Sequence, residues 1–360
     1  MRRALVCLLA ACLLLLIAAP SDARGKKPRP PKPTPTPTVT PTATPTSSPT
    51  ITATPTPTAT SSPTATASAS LLIKHGQDIP TPAFLRANVA RMDAMPFDGV
   101  VLTMGSLSNQ VLRPTPISTA TFAAALGTLP TLTRLRHNFV IAYAPPSAYV
   151  GDWTVPAQNA ANLATAARAA GFTGIVYDSE RYFGGSDNWP DACALTLAEC
   201  QAGARSRGAQ VGQAIRAAWP DAVILSLYGP WISDPRACQN TGGAACNDVS
   251  WANELMGPFV AGLSAVDGGE LYTLRTPAQF ATFAAYQRTL SPSQAFGVFD
   301  SPWLGTPMDE AIWTTTLRNA LAATDRYVWA YTERHDWWGT GWPSTPVPAS
   351  WVAATQAVRN

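Results

Sequence analysis

Eight short apolar runs, spaced by stretches of helical character, constrain this chain more than any other feature. They fall at Leu71–Lys74, Gly99–Thr103, Phe139–Tyr143, Gly174–Tyr177, Ala222–Leu227, Leu263–Val266, Ala295–Phe299 and Tyr327–Tyr331. Each is apolar at successive positions, which is the pattern of a parallel strand covered on both faces. Helix signals fill the gaps. Thr81-Pro82 places an N-cap before a proline suited to the first helical position, and Thr276-Pro277-Ala278-Gln279 adds the glutamine of a capping box. Pro156 opens an Ala-rich helix that Gly171 closes, a second runs from about Glu199 to Trp219, a third is expected from Pro307, and Ala349 to Val358 makes a short last one. Eight strand-helix units predict an α/β fold of the (β/α)8 TIM-barrel type over residues 71–360. The alternative is an open doubly wound sheet. No G-x-G-x-x-G or G-x-x-x-x-G-K loop follows any run, which disfavours its nucleotide-binding versions.

The first seventy residues cannot join that core. Arg2 and Arg3 precede an apolar run from Ala4 to Ala19, and Ser21-Asp22-Ala23 offers small residues at the positions a signal peptidase reads. A secretory signal over residues 1–23, cut after Ala23, is the expectation. A lipoprotein box at Leu9-Ala10-Ala11-Cys12 or a retained anchor would tether the chain to the cell envelope instead. Residues 24–70 are dominated by proline and threonine, with Val39 and Ile51 as the large apolar residues of the Pro/Thr stretch, too little apolar area to offset the entropy of ordering. Proline biases the part from about Pro28 to Ser68 to polyproline II, a semi-rigid spacer of about 120 Å when extended.

Charge and cysteine usage narrow the class further. The whole chain carries +3, but seven basic groups and one acid lie in residues 1–70, leaving 18 basic and 21 acidic residues in the remainder. A faintly acidic domain without basic clusters predicts no nucleic-acid partner. Cys7 and Cys12 lie in the apolar leader. The other four, Cys193, Cys200, Cys238 and Cys246, suit disulfides in an oxidising, extracytoplasmic compartment. The spacing favours Cys193–Cys200 and Cys238–Cys246 among three possible pairings. A monomer is expected.

Active sites of barrels form at the C-terminal strand ends. Here those ends carry His75, Gln77 and Asp78; Thr103, Ser106 and Asn109; Tyr143; Asp178, Glu180 and Tyr182; Tyr228 and Trp231; Asp267, Glu270 and Tyr272; Asp300 and Trp303; and Tyr331, Glu333, Trp337 and Trp338. Carboxylates ringed by aromatics suit a sugar. Cleaving a glycosidic bond needs one acid to protonate the leaving oxygen and a second carboxylate to attack the anomeric carbon or activate water. Pyranose C–H faces stack on indoles and phenols, while hydroxyls bond to Asp, Glu and His. Glu180, two residues beyond Asp178 and on the same side of an extended chain, is the expected proton donor, with Asp178 supporting it. Glu333 is the preferred base or nucleophile, and Glu270 competes for that role. Asp267, Asp300, His75, Tyr143, Tyr182, Tyr228, Trp231, Tyr272, Trp303 and Tyr331 are expected to bind substrate, with His335 a further candidate, while His137, ahead of the third strand, reads as structural. Trp337-Trp338, next to Gly339 and Gly341, are expected to form a loop-borne sugar platform. No H-x-H or H-E-x-x-H pair and no G-x-S-x-G elbow is present, so neither a catalytic metal, a cofactor nor a serine nucleophile is expected.

Several segments together resemble secreted bacterial barrel proteins described as glycoside hydrolase-like: Pro82-Ala-Phe-Leu, Pro96-Phe97-Asp98-Gly99-Val100, Gly174-Ile-Val-Tyr-Asp178-Ser-Glu180, Asp267-Gly-Gly-Glu270-Leu-Tyr272, and Tyr327-Val-Trp-Ala-Tyr-Thr-Glu333 with Trp337-Trp338. The fourth-strand segment is also similar to chitinase-like barrels, whose fourth strand ends in Asp-x-Glu with the Glu as acid. The resemblance implies a glycosidase acting on a polysaccharide or glycan. A non-catalytic carbohydrate-binding barrel displayed on a Pro/Thr stalk is the competing expectation.

Overall fold

The computed structural model describes residues 70–144, 149, 151–182, 186–249, 254–300 and 308–359. The expected signal, the Pro/Thr stretch and Trp303 lie outside the described residues. Eight strands, β1 (Leu71–Gly76), β2 (Gly99–Leu102), β3 (Phe139–Tyr143), β4 (Gly174–Asp178), β5 (Val223–Ser226), β6 (Val266–Asp267), β7 (Phe296–Phe299) and β8 (Tyr327–Thr332), pair in parallel. The order is β6-β5-β4-β3-β2-β1-β8-β7, and a lone parallel bridge between Asp267 and Gln294 joins the two ends. The fold is a (β/α)8 TIM barrel.

Side chains alternate across the wall. Ile73, Val101, Phe139, Ile141, Val176, Leu225, Tyr327 and Trp329 fill the interior, while their neighbours Leu72, Val100, Val140, Ile175, Ile224 and Val328 meet the helices. Trp329 is fully buried and donates from Nε1 to the Gly268 carbonyl at 2.7 Å, so the largest interior side chain leaves no polar atom unsatisfied. It fits because residue 297 lacks a side chain: a Cβ there would stand 2.7 Å from the indole and 3.1 Å from Tyr272.

The helices follow their sequence signals closely. Thr81 caps Pro82–Ala87 (α1), and Val89–Asp93 (α2) follows it. Ser118 caps Thr119–Leu126 (α3). Gly171, in the left-handed conformation at φ 90°, ends Thr154–Ala170 (α4). Thr196 and Glu199 form a capping box ahead of Leu197–Ala218 (α5), a device the sequence reading did not register. Two one-turn helices, Ala237–Asn240 (α6) and Cys246–Val249 (α7), lie in the loop after β5. Thr276 and Gln279 form the second box, ahead of Pro277–Gln287 (α9). The last helix, Ala349–Arg359 (α11), begins where expected.

Two expectations need correction. Leu263 belongs not to the sixth strand but to helix Met256–Leu263 (α8), which Ser264 ends in the left-handed region at φ 54°. The strand is therefore only Val266–Asp267. Its apolar run served the contact between α5 and α8, where Gly208 lets the helices approach so closely that a Cβ would meet the Phe259 carbonyl oxygen at 1.9 Å. The seventh helix starts not at Pro307 but at Glu310, running to Ala323 (α10), because the Asp309 carboxylate accepts from the Ile312 N–H at 2.8 Å and fixes the first turn there. Cys193–Cys200 and Cys238–Cys246 are both disulfide-bonded, and among the described residues no helix is long and apolar enough to cross a membrane.

Candidate active site at the barrel mouth

The inward alternation carries past the strand ends. Asp178 follows Val176 on the interior face of β4 and pairs in register with Tyr143 of β3. His75 pairs with Tyr331 across β1 and β8, their rings 5.2 Å apart. Glu180 then folds back: its N–H donates to the Asp178 carboxylate at 3.0 Å, and the Tyr182 hydroxyl donates to Glu180. Tyr182 packs edge-on to Tyr143 at 6.1 Å. From the β6 loop, the Glu270 N–H donates to the Leu227 carbonyl at 3.1 Å, seating that carboxyl inside the ring, where the Tyr272 hydroxyl donates to it at 2.7 Å. Tyr272 in turn stacks on Tyr331 at 6.1 Å and touches Phe299 at 4.6 Å. Glu333 accepts from the Gln77 amide at 3.0 Å.

These groups feel one another's charge. Burial raises Asp178 well above the usual carboxylate range, and Glu180 adds to it. Burial, then Glu180 and Asp178, does the same to Glu270. Glu180 is pushed up by burial and further by Glu333, against the pull of the Tyr182 hydrogen bond. Tyr228 and Tyr331 are raised by burial and then by the same acids. Acids so crowded and dry resist ionising together, so the cluster holds its protons more tightly than free carboxylates do. His75, lowered to about 3 by burial and by Lys74, stays a neutral imidazole. Arg181 turns to Asp187 at 2.8 Å and to the face of Tyr149 at 4.9 Å, and Arg334 donates to the Met308 carbonyl at 3.1 Å. Neighbouring cations thus have work of their own.

Six residues expected at the sugar are placed elsewhere. Trp337 and Trp338 are each 1% exposed, packed edge-on to Phe97 at 5.1 and 5.7 Å, with Trp313 behind Trp337. They are core, not a platform, because α10 and the approach to β2 cover them. Trp231 is fully buried against Phe283 at 5.3 Å. Asp267 is buried below the mouth and accepts from Gly269 at 3.0 Å, shaping the turn that presents Glu270. Asp300, also fully buried, accepts from the Glu333 and Arg334 N–H groups at 2.8 and 3.1 Å and lies 3.5 Å from the His335 ring. It and His335, buried against Trp351, build the turn under Glu333 rather than meet a ligand.

The sequence reading missed Asp248. Burial raises it to about 6, and Glu180's charge contributes. It lines a cavity of about 460 Å³ with Glu180, Tyr182, Asp187, Tyr228 and Met256, a volume suited to a small ligand or one or two sugar rings. The available signal is an acid two residues past a disulfide cysteine, in the loop after β5 and well beyond the strand end at Tyr228 and Trp231. Among the described residues no group of three or more His, Cys, Asp or Glu side chains is disposed to hold a metal ion.

No protein-family profile matches the chain, and no curated protein matches it. Solved structures with some likeness include an exo-β-1,4-mannosidase from an Opitutaceae bacterium (15% identity, 80% of this chain and 59% of that one, TM-score 0.40). A psychrophilic glycoside hydrolase family 10 endo-β-1,4-xylanase matches at 8% identity over 74% of this chain and 87% of that one, TM-score 0.41. A phosphonomutase-like protein from Burkholderia cenocepacia matches at 17% identity over 72% and 86%, TM-score 0.35. At these scores the likenesses carry no functional argument, and sugar-cleaving and phosphonate-type barrels stand side by side among them.

Proposed function

We propose that the chain is an exported glycoside hydrolase. One observation carries the reading: Asp178, Glu180, Glu270 and Glu333 converge at one mouth of the barrel, among the phenols of Tyr143, Tyr182, Tyr228, Tyr272 and Tyr331. Glu180, whose hold on its proton is strengthened by burial and by the charge of Glu333, gives that proton to the leaving glycosidic oxygen, with Asp178 fixing its backbone. Glu333, half-open to water and accepting the Gln77 amide, is the base or nucleophile. Glu270 and Asp248 take sugar hydroxyls. Export fits the Arg2-Arg3 leader with its apolar run and the two disulfides, and the Pro/Thr stretch serves as a spacer for a monomeric domain. The purified protein is tested against a panel of polysaccharides and aryl glycosides. Cleavage is expected, with Glu180→Gln and Glu333→Gln each lowering turnover by about 10²-fold or more on unactivated substrates while the circular dichroism spectrum is unchanged. Wild-type rates in both variants would refute the assignment, and binding without cleavage by the parent would mark a carbohydrate-binding barrel.

A further inference from the structure

The turn after β8 is built with more care than a connecting loop requires. Asp336, only 6% exposed, accepts four backbone N–H groups: Trp338 at 3.1 Å, Gly339 at 2.7 Å and Thr340 at 3.1 Å on one oxygen, Gly341 at 2.7 Å on the other. Its own N–H and carbonyl pair with Thr345 and Val347, closing the loop at its neck. The root is sealed by Trp337 and Trp338 in the core, and the Trp337 N–H donates to Asp78, the buried partner of Lys74, at 2.9 Å. This rigid arm holds out Trp342, which at 63% exposure is the most open large apolar residue described. Burying an indole is worth kilocalories, so a fixed arm that withholds one from the core points to a ligand. The indole's polar atom is already satisfied: Nε1 donates to the Gln77 side-chain oxygen Oε1 at 2.9 Å, and the same side chain's Nε2 donates to Glu333. What remains is a flat apolar face beside that carboxylate.

We propose that Trp342 is the stacking platform for a pyranose ring bound next to Glu333, and that Gln77 is a positioning residue coupling this platform to the Glu333 carboxylate. The proposal rests on the glycoside reading above. It assigns to Trp342 the role that the sequence pattern pointed to at Trp337 and Trp338, five and four residues upstream. An aliphatic sugar face needs no hydrogen bond from the surface it covers, and an indole whose N–H is spent inside the protein is selective for such a face.

The test uses calorimetric binding by the Glu180→Gln protein and steady-state kinetics in the parent, on the glycan that the panel identifies. Trp342→Ala is expected to weaken binding about tenfold and to raise KM similarly. Trp342→Phe keeps a ring but loses the N–H, so it should retain affinity within about threefold and lose kcat to the same degree as Gln77→Ala, whose KM is unchanged. Melting temperatures within about two degrees of the parent exclude a folding defect, since the side chain supports little of the core. Unaltered binding by Trp342→Ala overturns the platform, as does an equal affinity loss in Trp342→Phe, while the glycoside reading survives either result. A panel on which nothing is bound or cleaved removes both.

Discussion

At the scale of single residues, the mouth is a proton store whose level one phenol adjusts. Glu180 is raised chiefly by burial, then by Glu333, while the Tyr182 hydroxyl lowers it by stabilising the carboxylate. Removing that hydroxyl in Tyr182→Phe raises the acid further. A proton donor works only below its own pKa, so activity is lost as pH climbs through that value. The alkaline limb of the kcat/KM profile should therefore move to higher pH in Tyr182→Phe, and a limb that stays put or moves down would remove Glu180 from the donor role. Four of the acids were legible in the sequence because each directly follows an apolar strand, and strand ends in a barrel meet by construction. The tryptophans were not. Trp337-Trp338 beside glycines reads as a loop, and their burial depends on Phe97, some 240 positions away, a contact that no local pattern encodes. Trp342 carries the same local signature and ends exposed.

At the scale of elements, the loop after β5 brings Asp248 to the cavity on the one-turn helix Cys246–Val249, too short to hold its shape unaided. The Cys238–Cys246 bridge supplies the constraint. Replacing both cysteines with serine should lower stability by about 2.5 kcal/mol, as chain-entropy arguments give for so short a loop, and raise KM about tenfold by freeing Asp248. Asp248→Asn should reproduce the KM change without the loss of stability, read as a melting temperature. Should the cysteine pair melt lower yet bind as well as the parent, the staple serves the fold alone. Element boundaries were read best where capping chemistry is local, as at Thr81 and Thr276. They were read worst at Leu263, where an apolar run belongs to a helix pressed on another helix and periodicity over four residues cannot tell the two apart.

At the scale of the whole molecule, the barrel was legible because strand-helix alternation leaves few other ways to bury eight two-sided strands. The sequence was silent on where the ring is weakest. β6 contributes two residues, and the joint to the β7 side is one isolated bridge, Asp267 with Gln294, made by backbone hydrogen bonds to Ser293 and Ala295, with one more from the Gly297 N–H to the Gly269 carbonyl at 3.2 Å beyond it. Asp267 is fully buried at that joint, and burial raises it from 3.8 to about 7. The folded form therefore binds a proton that the unfolded form releases. This contribution is fully present below pH 4 and is lost as pH rises to 7, amounting to about 4 kcal/mol. Chemical denaturation across that window should show a flatter stability profile for Asp267→Asn than for the parent, and parallel profiles would dismiss the ionisation cost. The same joint lies between Glu270, on one side, and Phe299 and Tyr331, on the other. Any ligand that grips Glu270 while lying on Tyr331 becomes a clasp across the gap, so occupancy should slow amide exchange at Asp267 and Ala295 before it slows exchange elsewhere in the ring.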